Sequence, residues 1–282
     1  MISEAVRERF LRDPLPVRLG GLAADLARVA AWAGNPNNRD AVDGQVVTAD
    51  IRLSVLDQSP IAKGATSADA LQATIALAKR ADALGYHRYW MAEHHNTRAF
   101  ACSAPEIMID RLAQETTRIR VGSGGVMLTH YAPLKVAEHF RMLETLYPGR
   151  IDLGIGRAPG ADQRTIAALQ AGPQAYGIEA FPQQLQLLEA FLRDGAGETV
   201  FEAPHPYAHV HAMPRGVGVP ELWLLGSGIH SAIYAAELGL PFCHAHFINA
   251  DGGTEAADVY RTRFKSDAGK RPQTAVAVSA LC

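Results

Sequence analysis

Residues 119–140, IRVGSGGVMLTHYAPLKVAEHF, join a short apolar stretch directly to an amphipathic one. The apolar part, Ile119–Met127, predicts a β-strand. Pro133–Leu146 predicts a helix that begins with proline, where the missing N–H costs no intrahelical hydrogen bond. An apolar strand followed at once by a helix is typical of a parallel sheet whose faces are covered by helices.

The same alternation of strand and helix repeats on both sides of this stretch. Strands are predicted at residues 51–56, 86–92, 119–127, 150–155, 221–225, 241–247 and 274–280. Seven such steps favour an α/β fold of the (β/α)8 TIM-barrel type over a doubly wound sheet. Because such a barrel has eight strands, the sequence predicts a barrel that is truncated after the seventh strand.

Two regions stand outside the repeating units. Residues 1–50 contain an amphipathic pattern over Leu22–Trp32, which predicts a helical N-terminal extension. Residues 51–282 then form the barrel domain. Between the fourth and fifth strands, residues 156–219 form an irregular excursion in which we predict one helix, Pro182–Leu192.

Composition narrows the class of protein. The 282 residues carry a formal net charge of −2, which does not favour binding to nucleic acid or to an acidic membrane surface. There is no run of 18 apolar residues and no apolar core of a signal peptide near the start. The three cysteines form no CxxC motif. These features lead us to expect a cytoplasmic enzyme.

The chemistry of a TIM barrel lies at the carboxyl ends of its strands, and Glu93-His94-His95 follow the second strand. Two histidines behind a glutamate indicate either a metal site or an acid/base site. Neighbouring residues on a strand point to opposite faces, so His94 and His95 cannot easily share one ion if the strand continues through them.

The segment LLGSGIHSA, residues 224–232, lies between the fifth strand and a predicted helix. Gly226 and Gly228 allow a tight turn, and the free N–H groups of a helix start favour an anion. The hydroxyls of Ser227 and Ser231 add possible donors. We therefore interpret the loop as a phosphate site, with a plain turn and a serine cap as the alternative.

The third predicted strand contains Gly122, Gly124 and Gly125. Glycine within a strand is unfavourable unless another group approaches the backbone closely or the strand is bulged. A flat aromatic ligand and a curvature-inducing bulge both fit this pattern. Arg157, just beyond the fourth strand, suits either a ligand phosphate or carbonyl, or plain solvation.

Three motifs, HRYWMAEHHN, IRVGSGGVMLTHYAPLKVAEHF and PGRIDLGIGRAPG, occur in this order from residue 87 to residue 160. Their order and spacing resemble the bacterial luciferase-like family of flavin-dependent monooxygenases. The resemblance implies an FMN site at the carboxyl mouth of the barrel, with a non-proline cis peptide between Gly124 and Gly125. It also implies His94 as the active-site base or hydrogen-bond donor, oriented by Glu93. The cofactor-binding residues that it implies are Gly124, Gly125, Arg157, Ser227, Gly228 and Ser231, and it implies no metal.

The same resemblance implies reduced FMN supplied by a separate flavin reductase, O2 and a small organic substrate, with deazaflavin F420 as a possible replacement for FMN. The sheet edges left open by the missing eighth strand favour a homodimer. Two alternatives remain. One alternative is a metal-dependent TIM-barrel hydrolase, which is suggested by the HxH pairs His209/His211 and His244/His246. The other alternative is a non-catalytic flavin-binding protein, which is suggested by the missing eighth strand.

Overall fold

The computed structural model describes residues 52–157, 161–170, 177–265 and 269–279. Seven parallel strands form one sheet in which each strand pairs with the next along the chain. The strands are β1 Ser54–Asp57, β2 Arg88–Met91, β3 Arg120–Met127, β4 Ile151–Gly156, β5 Glu221–Gly226, β6 Phe242–Ala245 and β7 Thr274–Ala277. The helices are α1 Ser67–Ala83, α2 Pro105–Glu115, α3 Pro133–Leu146, α4 Gln163–Leu169, α5 Phe181–Gly195, α6 Ile229–Glu237 and α7 Gly253–Arg263. The predicted TIM-barrel order is confirmed.

The two faces of the sheet have different partners, as the two-residue period of a strand requires. On the outer face, Tyr89 and Met91 belong to the large apolar core shared with the helices. On the inner face, Trp90 packs with Trp223 and Cys243 in a second, smaller cluster. The core of the protein therefore lies mainly between sheet and helices, and the interior of the sheet is filled by large aromatic side chains.

Local signals in the sequence fix several helix ends. Thr66 and Asp69 form a reciprocal capping box at the start of α1. Gly85 follows the end of α1 with a φ of 79°, a left-handed conformation that glycine adopts without steric cost. Pro133 lies in the first turn of α3, as predicted.

Within the described residues, β1 and β7 each pair along one edge only. The outward side chain of Val276 on β7 is 62% exposed, and no described helix follows that strand to cover it. Seven of the eight strands of a complete barrel are therefore present in the described part of the chain.

The excursion between β4 and β5 differs from the prediction. It contains α5 and a second helix, α4, which is only seven residues long and is capped by the Asp162 side chain. A helix of two turns gives too little periodicity for detection from sequence. The helix predicted at Leu22–Trp32 and the extension over residues 1–50 lie outside the described residues.

No helix in the described part of the chain is long and apolar enough to cross a membrane.

Candidate active site

The carboxyl ends of parallel strands meet at one edge of the barrel, and the predicted site residues lie in or directly after four of these strands. Glu93 and His94 follow β2, and Gly124 and Gly125 lie in the second half of β3. Arg157 comes directly after β4 and is partly buried. The loop between β5 and α6 carries Ser227, Gly228 and Ser231.

Glu93 is a buried carboxylate with both oxygens engaged, and it is only 2% exposed. Its Oε1 accepts a hydrogen bond from the Tyr131 hydroxyl at 2.7 Å and lies 2.7 Å from Nε2 of His95. Its Oε2 accepts the backbone N–H of Met127 at 3.0 Å. Glu93 thus ties the loop after β2 to the end of β3.

His94 has a different environment from its neighbour. Its ring packs on Phe100, with ring centroids 4.4 Å apart and the planes tilted by 39°. Its Nδ1 is buried and has no hydrogen-bond partner. Burial, with a smaller contribution from His95, lowers the pKa of His94 below its usual value of 6.5. The imidazole is therefore neutral near pH 7 and retains one unused nitrogen.

His94 and His95 have different partners, but not because they alternate along a strand, as expected from sequence. β2 ends at Met91, so the alternation of a strand does not continue through His94 and His95. Instead, His95 turns to Glu93 and Tyr131, whose hydroxyl lies 3.2 Å from Nε2 of His95. Burial and the nearby Glu93 raise the pKa of Tyr131, so this hydroxyl stays protonated and can donate.

The glycines of β3 lie where side chains cannot fit. A Cβ at Gly125 would lie 2.8 Å from the carbonyl oxygen of Gly154, and one at Gly124 would lie 2.9 Å from Cβ of Trp90. The Gly124–Gly125 peptide bond is cis, as predicted. The pairing register with β4 shifts between Gly124 and Val126, so the bulge considered from the sequence is present as well.

The loop between β5 and α6 is tightly folded. Gly228 is the N-cap of α6 and has no side-chain cap bond, so the alternative of a serine cap is wrong. Ser231 is only 3% exposed and packs against Gly226, where any Cβ would collide with its side chain. Ser231 thus lies buried in the first turn of α6.

Several contacts at this edge were not anticipated from the sequence. Asn96 donates from Nδ2 to the Asp162 carboxylate at 3.1 Å, and Gln170 donates to the Thr129 carbonyl at 2.7 Å. Both bonds hold α4 against the loops after β2 and β3. The only sequence signal for them was that polar residues cluster at strand ends; the partners are 66 and 41 residues apart.

One histidine of each pair in the hydrolase alternative is engaged in another bond. Nε2 of His244 lies 2.9 Å from the Asn249 carbonyl oxygen, and Nδ1 of His211 lies 2.8 Å from the Asp194 carboxylate. Among the described residues, no three histidine, cysteine, aspartate or glutamate side chains are grouped so as to hold a metal ion. The geometry gives the hydrolase alternative no support.

Comparison with known proteins places this geometry in a family. The family model described as luciferase-like monooxygenase matches residues 51–282. The N-acetyl-S-alkylcysteine monooxygenase of Bacillus subtilis (strain 168) is 48% identical over 201 residues, which are 71% of this chain and 58% of that protein. An uncharacterized protein of the same organism, YwcH, is 47% identical over 233 residues, covering 82% of this chain and 68% of its own length.

Solved structures agree with these relatives. The crystal structure of apo-MsnO8 superposes with a TM-score of 0.73 at 44% identity, covering 80% of this chain and 65% of that one. The oxygenating constituent of 3,6-diketocamphane monooxygenase from Pseudomonas putida, solved with FMN, shares the fold with a TM-score of 0.64 at 19% identity, over 80% of this chain and 66% of that one. The chain thus spans roughly two thirds of the length of the proteins it matches. On the family match and these identities, the chain belongs to the luciferase-like monooxygenase family.

Proposed function

We propose that the protein is an FMN-dependent monooxygenase that uses reduced flavin and O2 on a small organic substrate. The observation that carries the proposal is the unpartnered, buried Nδ1 of His94 at the same barrel edge as the β3 glycines and the start of α6. Buried polar atoms are nearly always satisfied, so an unsatisfied imidazole nitrogen at a strand end points to a reactive partner.

The residues present fit a flavin mononucleotide. Ser227, Gly228 and Ser231 combine hydroxyls with the positive end of α6, which suits a phosphate. The Gly124–Gly125 segment presents only backbone at the carboxyl edge, and Arg157 follows the neighbouring strand β4 with a positive charge. When bound, reduced flavin supplies the two electrons that allow one atom of O2 to enter the substrate while the other becomes water.

His94 would be the group that holds or moves a proton in this site. Its lowered pKa keeps it neutral near pH 7, and a neutral imidazole has one N–H donor and one acceptor nitrogen. Glu93 does not serve this role itself, because Tyr131, His95 and the Met127 N–H already occupy its oxygens. It holds the end of β3 in place next to the loop that carries His94.

The proposal is less specific about the substrate and the partners. Because a relative at 48% identity is named for oxidation of N-acetyl-S-alkylcysteine, thioethers of this kind are the first substrates to test. A separate flavin reductase would supply reduced FMN, and we retain a homodimer as the expected assembly. F420 remains a second candidate cofactor, because it too carries a phosphate on its ribityl chain.

The test is oxygen uptake by the full chain with enzymatically reduced FMN and a panel of S-alkylcysteine derivatives, with product analysis for the sulfoxide. Substrate-dependent oxygen insertion is expected. Loss of a general acid/base costs about 100- to 10,000-fold, so His94→Ala should lose turnover to that extent while keeping flavin affinity.

The matched control is His209→Ala, which removes an exposed histidine from the excursion. It should leave turnover unchanged. Equal turnover in His94→Ala and wild type would remove His94 from the mechanism. Flavin binding without any substrate-dependent oxygen insertion would instead favour the non-catalytic flavin-binding protein.

A further inference from the structure

Asn249, in the loop after β6, links three parts of the barrel edge through hydrogen bonds. Its Nδ2 donates to the backbone carbonyl of Ser227 at 2.9 Å, and its Oδ1 accepts the N–H of Gly252 at 3.2 Å. Its own carbonyl oxygen lies 2.9 Å from Nε2 of His244. One asparagine thus joins the β5–α6 loop, the end of β6 and the start of α7.

The bond to Ser227 fixes the orientation of a peptide group. A peptide unit is planar and trans, so its carbonyl and the following N–H point in opposite directions. Asn249 holds the Ser227 carbonyl on the side of the β6 loop, which turns the N–H of Gly228 away from it. That N–H lies at the N-cap of α6 and donates to no acceptor among the described residues.

The packing around Asn249 leaves its amide little freedom. A Cβ at Gly252 would collide with Nδ2 of Asn249, and a Cβ at Gly253 would lie 3.2 Å from the His244 ring. His244 is itself buried, and its Nδ1 has no partner. The absence of a Cβ at Gly252 and Gly253 thus lets the start of α7 lie against Asn249 and His244 without displacing either side chain.

We propose that Asn249 is a positioning residue for the cofactor phosphate: it holds the Ser227–Gly228 peptide so that the Gly228 N–H and the start of α6 face the anion. This inference rests on the proposed flavin function. It adds a residue from a neighbouring strand loop that does not itself need to contact the flavin. Asn249 is expected to affect binding of the phosphate and not binding of the flavin ring system.

Riboflavin separates these roles, because it has the ring and ribityl chain of FMN without the phosphate. Anaerobic titration of the full chain with reduced FMN and with reduced riboflavin gives both dissociation constants. In Asn249→Ala, the dissociation constant for FMN should rise about tenfold, as loss of an oriented, charge-assisted contact implies, with less than about a twofold change for riboflavin.

Gly252→Ala is the second variant, because it displaces the Asn249 amide while the asparagine remains. Gly252 has a φ of −82°, which alanine adopts freely, so the variant tests the contact and not the backbone conformation. It should reproduce the selective loss of FMN affinity, and the double variant should lose no more than the larger single loss. Thr254→Ala, at an exposed position in the first turn of α7, is the matched control and should bind FMN as wild type does.

The inference is overturned if FMN and riboflavin affinities fall together, or if neither changes, in either variant that folds. If Asn249→Ala does not fold, Gly252→Ala decides. A wild-type protein that binds FMN no more tightly than riboflavin would instead show that the proposed phosphate site is wrong. A failure of the inference and a failure of the proposed function are therefore distinguishable.

Discussion

The amino end of the barrel interior holds a buried carboxylate with both oxygens paired, whereas the carboxyl end also contains buried histidine nitrogens without a partner. At the amino end of the strands, Asp152 is fully buried, and its two oxygens accept bonds from Arg88, Arg120 and Trp90 at 2.6–2.9 Å. Arg88 also pairs with Glu221 at 3.1 Å. At the carboxyl end, His94 and His244 each keep a buried nitrogen without a partner.

This difference separates stability from function within one fold. A buried carboxylate with every lone pair engaged holds strands together but has nothing left to offer a ligand. An unsatisfied buried nitrogen costs stability and is retained where a ligand or a reaction uses it. The amino end should therefore respond to mutation mainly in unfolding free energy, and the carboxyl end mainly in binding and turnover.

The largest effect is expected for Asp152→Ala at the amino end. It leaves the buried Arg88 and the partly buried Arg120 without their shared carboxylate, and breaking a buried ion pair costs about 3–5 kcal/mol. Denaturant unfolding of the variant and of Asp152→Asn, which keeps the side-chain shape, measures this loss. Flavin affinity should be unchanged wherever the protein is folded, and a stability equal to wild type would refute the role assigned to this cluster.

The next largest effect is expected for Gly125→Ala in β3, between the amino and carboxyl ends of the barrel interior. The added Cβ would lie 2.8 Å from the Gly154 carbonyl oxygen and 2.9 Å from the Gly156 amide nitrogen. Overpacking of this kind costs about 1–3 kcal/mol and should also weaken flavin binding. Gly156→Ala is the stability control, because its Cβ would meet only the Val126 carbonyl at 4.0 Å. Similar losses in both variants would contradict the steric argument.

Tyr131→Phe should have a smaller effect on stability. It removes the hydroxyl that donates to Glu93 at 2.7 Å, and a single intramolecular hydrogen bond contributes a net of about 0.5–1.5 kcal/mol. Because Glu93 also holds the Met127 N–H, we expect a lower kcat with little change in the KM for substrate. Steady-state kinetics measure the split, and an unchanged kcat would show that Glu93 does not need this donor.

The smallest expected effect is on the pH dependence of kcat/KM. Burial lowers the pKa of His94, so the folded protein keeps it neutral at pH values where a free imidazole, with a pKa near 6.5, is already protonated. The acidic limb of kcat/KM should therefore lie below pH 6.5. A limb above pH 6.5 that disappears in His94→Gln would show that the pKa is raised instead.

The same shift has a consequence for stability. Below pH 6.5 the unfolded chain takes up a proton at His94 that the folded chain does not, so folding stability falls as pH decreases through this range. Wild type should lose stability relative to His94→Gln between pH 6.5 and the lower, folded-state pKa. Parallel pH dependence in the two proteins would contradict the assigned direction.

The sequence was sufficient for the repeating architecture, because apolar strands and proline- or threonine-started helices are local signals. It also located the β3 glycines and the β5–α6 loop correctly at the carboxyl edge. It missed α4, whose seven residues are fixed by the Asp162 cap and by distant contacts with Asn96 and Thr129. Short helices held by tertiary contacts leave little trace in hydrophobic periodicity.

The partners of the site residues were the least predictable part. Glu93 was expected to orient His94, yet its bonds go to His95, Tyr131 and Met127. Asn249 was not singled out at all, because its link to Ser227 in another loop does not belong to a sequence motif. Side-chain pairing across strand ends depends on loop conformation, which spacing along the chain does not determine.

The central claim is that the carboxyl end of this barrel is a flavin site. Anaerobic titration of the purified chain with reduced FMN, followed by flavin absorbance and fluorescence, tests it most directly. We predict saturable binding at one flavin per chain, weakened selectively by Asn249→Ala and not by Asp152→Asn. A folded protein that shows no saturable binding of reduced FMN would contradict the account.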